Sequence, residues 1–358
     1  MLQGVETHHK KADRMKNIFS GLCVLVLIAT GCGKDGGGEG KPSSDGGVHI
    51  GYIMAGPDIY YRTAADTFKR LADKKGWKIS TTSSEYSPSK EVSNVEDFIA
   101  KQVDVIILVT ANAEVATKNA KKAKDAGIPL FLASALPSKE GYDLPTGIVS
   151  GDWRAVGALT GTYIGKQWKA PRIAMIEGAY GQGLAEAIRQ GLLDAITAEG
   201  ATPEIVAQTS GGWMRKGGMD AAQDIIASQK TFDILYCQNE EMAAGALQAF
   251  SEAGGKNTFK VFSNNGKEMA WDWLKEGKLT GTVSGAPTGE GDLLFQMVDA
   301  FLSKKEFPRH VYMKTDLLTA ENLDGAVPWD IDDYFARKAS GDFVIDLYTR
   351  PVETEWNN

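Results

Sequence analysis

The sequence is poor in cysteine, which argues against a fold held together by disulfides. It has three cysteines in 358 residues, Cys23, Cys32 and Cys237. Small secreted domains that depend on disulfides carry a much denser set. Cys237 stands alone in an apolar run, and we interpret it as a small buried residue. No catalytic histidine lies near it in sequence, so a thiol nucleophile is not indicated.

The sequence also has no excess of basic residues, which argues against nucleic acid as a partner. It contains 39 lysines and arginines against 46 aspartates and glutamates, and its net charge is -7. Proteins that bind phosphate backbones present basic surfaces. The hydrophobic share of 43% and the charged share of 24% are ordinary for a globular protein. The length is typical of about two domains.

Familiar catalytic motifs are missing as well. The sequence has no Walker A lysine loop, no G-x-S-x-G elbow and no Cys/His spacing of a metal site. Gly178, Gly181 and Gly183 follow a predicted strand, but their spacing is not that of a dinucleotide loop. His49 and His310 have no partner in sequence. We therefore predict no catalytic residue, no cofactor and no metal, and a hydrolase is a third alternative that turnover of a bound compound would support.

One short apolar run lies near the N-terminus, where it predicts a targeting signal. Residues 22–28 follow Lys16 and precede Ala-Thr-Gly-Cys at 29–32, the order found in a secretory signal with its cleavage site. The run is too short to span a membrane as a mature helix. Residues 29–32 resemble a bacterial lipobox, in which Cys32 would be lipidated and become the mature N-terminus. We predict a signal peptide over 1–31, with Met15 as an alternative start, and a Gly/Ser-rich lipid-anchored flexible linker over 32–47.

Beyond the linker, strand and helix patterns alternate through most of the chain. Apolar runs such as VDVIILVT at 103–110 predict buried strands, and periodic segments between the runs predict helices. The predicted strands lie at 48–54, 77–82, 103–110, 128–133, 147–150, 172–177, 204–209, 234–237, 259–263, 279–284 and 311–319. This alternation predicts an α/β protein with two doubly wound, Rossmann-like lobes. The last part, 322–358, shows no assignable period.

The stretch 231–250, TFDILYCQNEEMAAGALQAF, joins a predicted strand to a polar helix start. The apolar run ends directly before QNEE, and Asn239 or Glu240 can cap the helix that follows. In open α/β sheets, ligands bind beyond the carboxyl ends of the strands, so QNEE is a candidate binding position. The alternative is that QNEE is only a polar cap.

Residues 238–247, QNEEMAAGAL, closely resemble the QNDEMALGAL stretch of the ribose-type (type I) periplasmic sugar-binding proteins. The resemblance extends over roughly residues 48–319. It implies the type I periplasmic binding protein fold, with a three-crossing hinge near 150–152, 285–287 and 315–318. The N-terminal lobe would comprise 48–151 plus 286–318, and the C-terminal lobe 152–285. Residues 319–358 would form an extension lying on the body.

The resemblance also implies a ligand site between the lobes. Aromatic faces would cover the apolar surfaces of a small polyol, and polar groups would bind its hydroxyls. The positions that match or replace family contacts are Asp58, Tyr60, Tyr61, Asp152, Trp153, Trp213, Asn239 and Asn265. Most of these positions fall at a strand's carboxyl end or at a crossing, so they are expected to converge on one cleft. For each aromatic residue, packing without ligand contact is the alternative.

Three positions depart from the family's polar set. Ser134 stands where the family has an Asp-Arg pair, Glu186 lies near the place of an arginine, and Gly285 replaces a glutamine. We include Ser134 and Glu186 among the predicted ligand contacts. Because two guanidinium groups are missing, a site of aromatic rings and carboxylates could hold a cation instead. A cationic or less hydroxylated ligand is therefore the alternative to a sugar or polyol.

Together these features predict a lipid-anchored, extracytoplasmic substrate-binding protein of an ABC importer. It would be a monomer that captures a small polar ligand by hinge closure and presents the closed form to a permease and its ATPase. The lipid would hold it at the cell membrane, on the periplasmic side in a Gram-negative cell. The alternative is a receptor that presents the bound form to a membrane kinase or chemoreceptor.

Overall fold

The protein is described here by a computed structural model covering residues 47–254, 258–343 and 347–349. The predicted signal peptide, Cys32 and the linker up to residue 46 lie outside the described residues. The strands are β1 His49–Met54, β2 Lys78–Ser83, β3 Val105–Val109, β4 Leu130–Ser134, β5 Gly147–Gly151, β6 Arg172–Glu177, β7 Glu204–Ser210, β8 Ile234–Cys237, β9 Lys260–Asn265, β10 Gly281–Ser284, β11 His310–Met313, β12 Leu317–Leu318 and β13 Leu347–Tyr348. The α-helices are α1 Ile59–Lys74, α2 Pro88–Ala100, α3 Ala113–Asp125, α4 Trp153–Gln167, α5 Leu184–Ala198, α6 Arg215–Ala227, α7 Glu240–Glu252, α8 Glu268–Lys275, α9 Pro287–Leu302 and α10 Ile331–Ser340.

The strands form two sheets. The first has the order β13-β11-β5-β4-β3-β1-β2, and the second has the order β12-β10-β9-β8-β6-β7. All pairs are parallel except β13 on β11 and β12 on β10, which are antiparallel edge strands. The predicted fold class is therefore confirmed: the chain forms two α/β lobes, each built on a parallel sheet.

The chain passes between the two sheets after β5, after β10, and between β11 and β12. The single strand predicted over 311–319 is wrong in this region. β11 pairs with β5 in the first sheet, whereas β12 pairs with β10 in the second. The three residues between β11 and β12, 314–316, are polar and connect the first lobe to the second. The strand of the first sheet therefore ends at Met313. The predicted lobe boundaries stay predictions.

The C-terminal tail returns from the second lobe to the first. A 3₁₀ turn at Leu323–Gly325 is followed by α10 and then by β13, which joins the first sheet. Asp330 caps α10 by accepting from the Asp333 amide at 2.8 Å, and Gly341 ends it at φ 80°. Both are recognisable helix signals, although the sequence analysis assigned no element here.

Each lobe has its own apolar core. In the first lobe, every residue of β3 is buried, and helices cover both faces of the sheet. In the second lobe, β6 and β8 are buried between α5 and the other helices. This is the pattern expected for parallel strands that are covered on both faces.

Two glycines allow α4 and α5 to pack against each other closely. A Cβ atom at Gly157 would lie 1.9 Å from the Ile188 carbonyl oxygen, and one at Gly191 would lie 1.9 Å from the Arg154 carbonyl oxygen. Any larger residue would therefore push the helices apart. The close packing matters for function because both helices begin at the cleft between the lobes.

Candidate ligand-binding site

A small cavity lies between the two lobes, where the strands of both sheets end. Its volume is about 30 Å³. By the same measure one water molecule needs about 10–15 Å³. The space is therefore narrow. The residues that line it are Asp58, Tyr60, Tyr61, Ser134, Trp153, Leu184, Ile188, Trp213, Gln238, Asn239 and Asn265.

Most of the predicted contact residues meet at this cavity. The ones that line it are Asp58, Tyr60, Tyr61, Ser134, Trp153, Trp213, Asn239 and Asn265. Their convergence follows from the fold, because loops after parallel strands share one edge of a sheet. Their role in ligand binding stays a prediction.

Asp152 and Glu186 do not line the cavity. Asp152 caps α4: its Oδ1 accepts from the Ala155 amide at 3.0 Å, and its Oδ2 accepts from the Tyr348 hydroxyl at 2.6 Å. Glu186 lies in the first turn of α5. Its Oε2 is shielded from solvent and has no hydrogen-bond partner among the described residues.

Asp58 is a buried carboxylate at the start of α1. It accepts from the Tyr61 amide at 3.2 Å, which caps the helix, and from the Tyr86 hydroxyl at 2.6 Å. Burial raises the pKa of its carboxyl, and the hydrogen bonds from Tyr86 and Tyr61 oppose that rise. Asp58 thus offers an acceptor in a poorly solvated place.

A second carboxyl group, Glu290, lies directly behind the lining. Ser134 Oγ donates to its Oε1 at 2.7 Å and to its Oε2 at 2.8 Å, and the Tyr60 hydroxyl donates at 3.4 Å. Burial raises the pKa of Glu290 to about 7, hydrogen bonds from Ser134 and Tyr60 lower it, and the nearby Asp58 raises it further. Glu290 thereby fixes the orientation of two lining residues, Ser134 and Tyr60. Ser134 has a strained backbone conformation, with a φ of 61°.

The tyrosine pair in the first loop packs edge to face. The rings of Tyr60 and Tyr61 are 5.8 Å apart at 86°. Both hydroxyls are engaged, Tyr60 with Glu290 and Tyr61 with Gln182, whose Nε2 donates to it at 3.1 Å. The hydroxyls are therefore held by the protein, and the rings form part of the cavity wall.

The two tryptophans supply apolar walls from the second lobe. Trp153 donates from Nε1 to the Ser134 carbonyl oxygen at 2.7 Å, and Trp213 donates from Nε1 to Gln182 Oε1 at 3.0 Å. A Cβ atom at Gly178 would lie 1.9 Å from the Trp213 ring. Gly178 thus makes room for an aromatic wall of the cavity.

Gln182 connects the two lobes at the cleft. It is 2% exposed and lies in the loop before α5 of the second lobe. Its Nε2 donates to the Thr110 carbonyl oxygen at 2.9 Å and to the Tyr61 hydroxyl, both in the first lobe. Sequence reasoning missed this residue, because its partners come from the other lobe and leave no local pattern.

The QNEE stretch does more than cap α7. Asn239 Oδ1 accepts from the Met242 amide at 2.8 Å, as predicted for a cap, and its Nδ2 donates to the Trp213 carbonyl oxygen at 3.0 Å. Gln238 accepts from the Gly178 amide at 2.9 Å. Glu240 is buried and accepts from the Gly266 amide at 2.6 Å and the Thr282 hydroxyl at 2.7 Å.

Asn265 completes the lining at the end of β9. Its φ is 98°, a left-handed conformation that is strained for a residue with a side chain. Its carbonyl oxygen accepts from Gly285 at 3.1 Å and from Trp329 Nε1 at 3.1 Å. Trp329 belongs to the tail, which sequence reasoning did not place at the cleft.

The charge of the site is one-sided. Among the described residues that line the cavity, none is lysine or arginine, whereas Asp58 lines it and Glu290 lies behind it. In the part of the chain that the structure describes, no cluster of His, Cys, Asp and Glu could hold a metal ion. No helix within the described ranges has the length and apolar character to span a membrane.

Comparison with known proteins relates the chain to sugar-binding proteins. The periplasmic binding protein domain model matches residues 50–306. The ribose import binding protein of Salmonella typhimurium is 25% identical over 68% of this chain and 80% of that protein. The galactofuranose-binding protein of Escherichia coli K12 is 26% identical over 78% of this chain and 83% of that protein.

Solved structures agree on the fold. The fructose-binding periplasmic domain of a hybrid two-component system matches with a TM-score of 0.71 at 22% identity, covering 82% of this chain and 95% of that one. Together, the family match, the two parallel-sheet lobes and the cavity between them lead to one assignment. The chain belongs to the type I periplasmic binding proteins of the ribose and sugar ABC-transporter family.

Proposed function

We propose that this protein is the extracytoplasmic substrate-binding component of an ABC importer for a small sugar or polyol. The observation that carries the proposal is the cavity between the lobes, where aromatic walls meet Asp58, Asn239 and Asn265. Aromatic faces suit the C–H surfaces of a sugar, and buried carboxylate and amide groups suit its hydroxyls. The similarity to ribose-binding and galactofuranose-binding proteins supports the same ligand class.

The proposed mechanism is capture by closure and involves no bond breaking. Lining residues from both lobes would contact the ligand together only when the lobes are closed, so the ligand favours that state. The permease would then bind the closed form, and its ATPase would drive uptake. The side chains at the cavity are held by structural hydrogen bonds, which fits a binding protein better than an enzyme.

Attachment to the membrane is proposed through Cys32. Its position after a signal-like segment and before a Gly/Ser-rich linker supports a lipid anchor with a tether between membrane and body. The body would then be a monomer held near its permease at the outer face of the cell membrane.

The test of the proposed ligand class is a thermal-shift screen with ribose, allose, fructose and myo-inositol at millimolar concentration. A ligand that binds only the folded state stabilises it by about 2.7 kcal/mol at a hundredfold excess over Kd. We expect a clear rise in Tm for at least one compound. The Trp213→Ala variant should lose the rise, because an aromatic wall is gone. The matched variant Trp168→Ala, which changes a tryptophan of the same lobe outside the cavity lining, should keep it. No response to any of these compounds would count against a sugar or polyol.

A second candidate is a ligand that carries a positive charge, such as an amino sugar. It is favoured by the two carboxyl groups, Asp58 at the cavity and Glu290 behind it, and by the lack of basic residues in the described lining. Aromatic rings can also hold cations. Calorimetry with galactose and galactosamine separates the two candidates: tighter binding of galactosamine that is lost in Asp58→Asn supports the cation. Equal or weaker binding of the amine leaves the neutral sugar.

A further inference from the structure

The matched family model ends at residue 306, so the tail from residue 319 onward lies outside it, and this tail reaches the cleft. Leu323 and Ala326 pack in the core of the second lobe, and three residues later Trp329 packs in the core of the first. The tail therefore makes an additional passage between the lobes, after the three crossings of the hinge.

Trp329 and the next residue, Asp330, contact the second lobe through three hydrogen bonds. Its Nε1 donates to the Asn265 carbonyl oxygen at 3.1 Å. Its backbone amide and that of Asp330 both donate to Glu268 Oε1, at 2.5 and 3.0 Å. Lys267 Nζ lies 5.7 Å from the ring centre, within the range of a cation–π contact. One tryptophan thus holds the turn that carries Asn265 to the cavity.

The same side chain supports the first lobe. Trp329 is 6% exposed, and its ring packs edge to face on Tyr60 at 5.5 Å and 82°. The segment is fixed to that lobe by Thr288, which donates to the Pro328 carbonyl oxygen at 2.7 Å, and by the Tyr334 hydroxyl, which donates to Asp292 at 2.6 Å. Tyr60 and Asn265, one from each lobe, both line the cavity.

We propose that Trp329 is a positioning residue of the cleft, which ties Asn265 of the second lobe to Tyr60 of the first and thereby holds the lobes together in the absence of ligand. When the lobes separate, Asn265 and Glu268 move away from Tyr60. Trp329 then loses either its hydrogen bonds to the second lobe or its ring contact with Tyr60. The tail then contributes to ligand affinity without touching the ligand, because less of the binding free energy is spent on closing the lobes. The effect on affinity rests on the proposed function, but the effect on closure does not.

The test measures closure directly, without any ligand. Fluorophores are attached through unnatural amino acids at the exposed positions Lys118 and Lys216, one in each lobe, in the full chain. Single-molecule energy transfer then gives the fraction of open molecules. For Trp329→Ala and Glu268→Ala we expect the open-to-closed ratio to rise about fivefold or more, as loss of a net hydrogen bond implies. Trp329→Phe keeps a ring against Tyr60 and should lie between wild type and alanine.

Matched controls separate positioning from general damage. Ser340→Ala removes one exposed hydrogen bond within α10 of the tail, and Glu276→Ala changes the other end of α8. Both should leave the open fraction unchanged. If the Trp329 variants do not fold, the open-to-closed ratio of Glu268→Ala alone tests the proposal. An open fraction equal to wild type in Glu268→Ala and Trp329→Ala, or an equal rise in the controls, would overturn the proposal. Sugar binding by the wild type is a separate result, so the two ideas can fail independently.

Discussion

At the scale of single residues, three carboxyl groups at or near the site are buried without a basic partner among the residues that the structure describes. Asp58, Glu240 and Glu290 are each almost fully enclosed, and each is stabilised by hydroxyl or amide donors. Hydrogen bonds replace water only in part, so burial favours the protonated form. Burial raises the pKa of Glu240 to about 8 and that of Glu290 to about 7, so these two groups make stability depend on pH in the neutral range.

The Glu240→Gln variant tests this dependence. Burial raises the pKa of Glu240 from 4.5 to about 8, so the folded protein holds this proton over a range in which the unfolded chain has released it. The free energy of unfolding therefore falls as pH rises from about 5 to 8. Glutamine keeps an oxygen for the Gly266 amide but does not titrate. Urea unfolding at pH 5.5 and 8 should show a smaller loss of stability for Glu240→Gln than for wild type.

The exposed Glu252, at the other end of the same helix, provides the control. Glu252→Gln should lose as much stability between the two pH values as the wild type does. If Glu240→Gln and Glu252→Gln behave alike, Glu240 does not carry the predicted pH dependence.

At the scale of elements, loops after strands bring the lining residues together and also join the lobes. The loop between β6 and α5 contributes Gln182, and the chain around it lies against the end of β3, where Ala113 donates to the Gly181 carbonyl oxygen at 3.4 Å. The loop thus holds two lining residues, Tyr61 and Trp213, through Gln182, and it is also a contact between the lobes. Substitutions in a loop with both roles can therefore change the closure of the lobes without changing the apolar core of either lobe.

We predict that Gln182→Leu weakens ligand binding about tenfold or more. Leucine has a similar size but loses the bonds to Thr110, Tyr61 and Trp213, and it leaves the Trp213 Nε1 donor without its partner. Calorimetry with the compound found in the thermal-shift screen measures the change. Gln190→Leu, which removes an exposed bond to Asp194 within α5, should bind as the wild type does. Unchanged affinity in Gln182→Leu would contradict the prediction.

The sequence predicted those parts of the site that have a local signal. A strand end followed by a capping residue, together with the family resemblance of residues 238–247, pointed to Asn239, and the resemblance also indicated Asp58 and the tyrosine pair in the first loop after β1. Gln182 and Trp329 could not be found in this way, because their partners lie in the other lobe. Glu290 was missed for a related reason: it lies in a predicted helix, and only the packing of α9 against β4 brings it to Ser134. Asp152 precedes a helix, as a capping residue does, and its Oδ1 caps α4 by accepting from the Ala155 amide.

At the scale of the whole molecule, the alternation of strand and helix was sufficient to predict two α/β lobes. The three places where the chain crosses between the sheets were also expected, although the last one divides a strand that the sequence analysis had drawn as continuous. The path of the tail was not predicted, because α10 is short and β13 pairs with a strand far away in sequence. Anchoring at this scale is predicted from the signal-like segment and from Cys32.

The Cys32→Ser variant tests the anchor. Expressed in a bacterial host, the wild type should fractionate with membranes, because the acyl chains of a lipid on Cys32 would insert into the bilayer. Cys32→Ser should move to the soluble extracytoplasmic fraction. Cys23→Ser, which changes a cysteine within the predicted signal, should behave as the wild type does. Membrane association that survives Cys32→Ser would contradict lipidation at this residue.

The last strand of the tail has a consequence for solubility. β13 pairs antiparallel with β11 through Tyr312 and Tyr348, so it occupies an edge of the first sheet that would otherwise offer free backbone groups. Such an edge is a template for strand pairing with another molecule. A chain cut before residue 347 would therefore expose β11 and favour edge-to-edge self-association, even though both lobes and the cleft were intact.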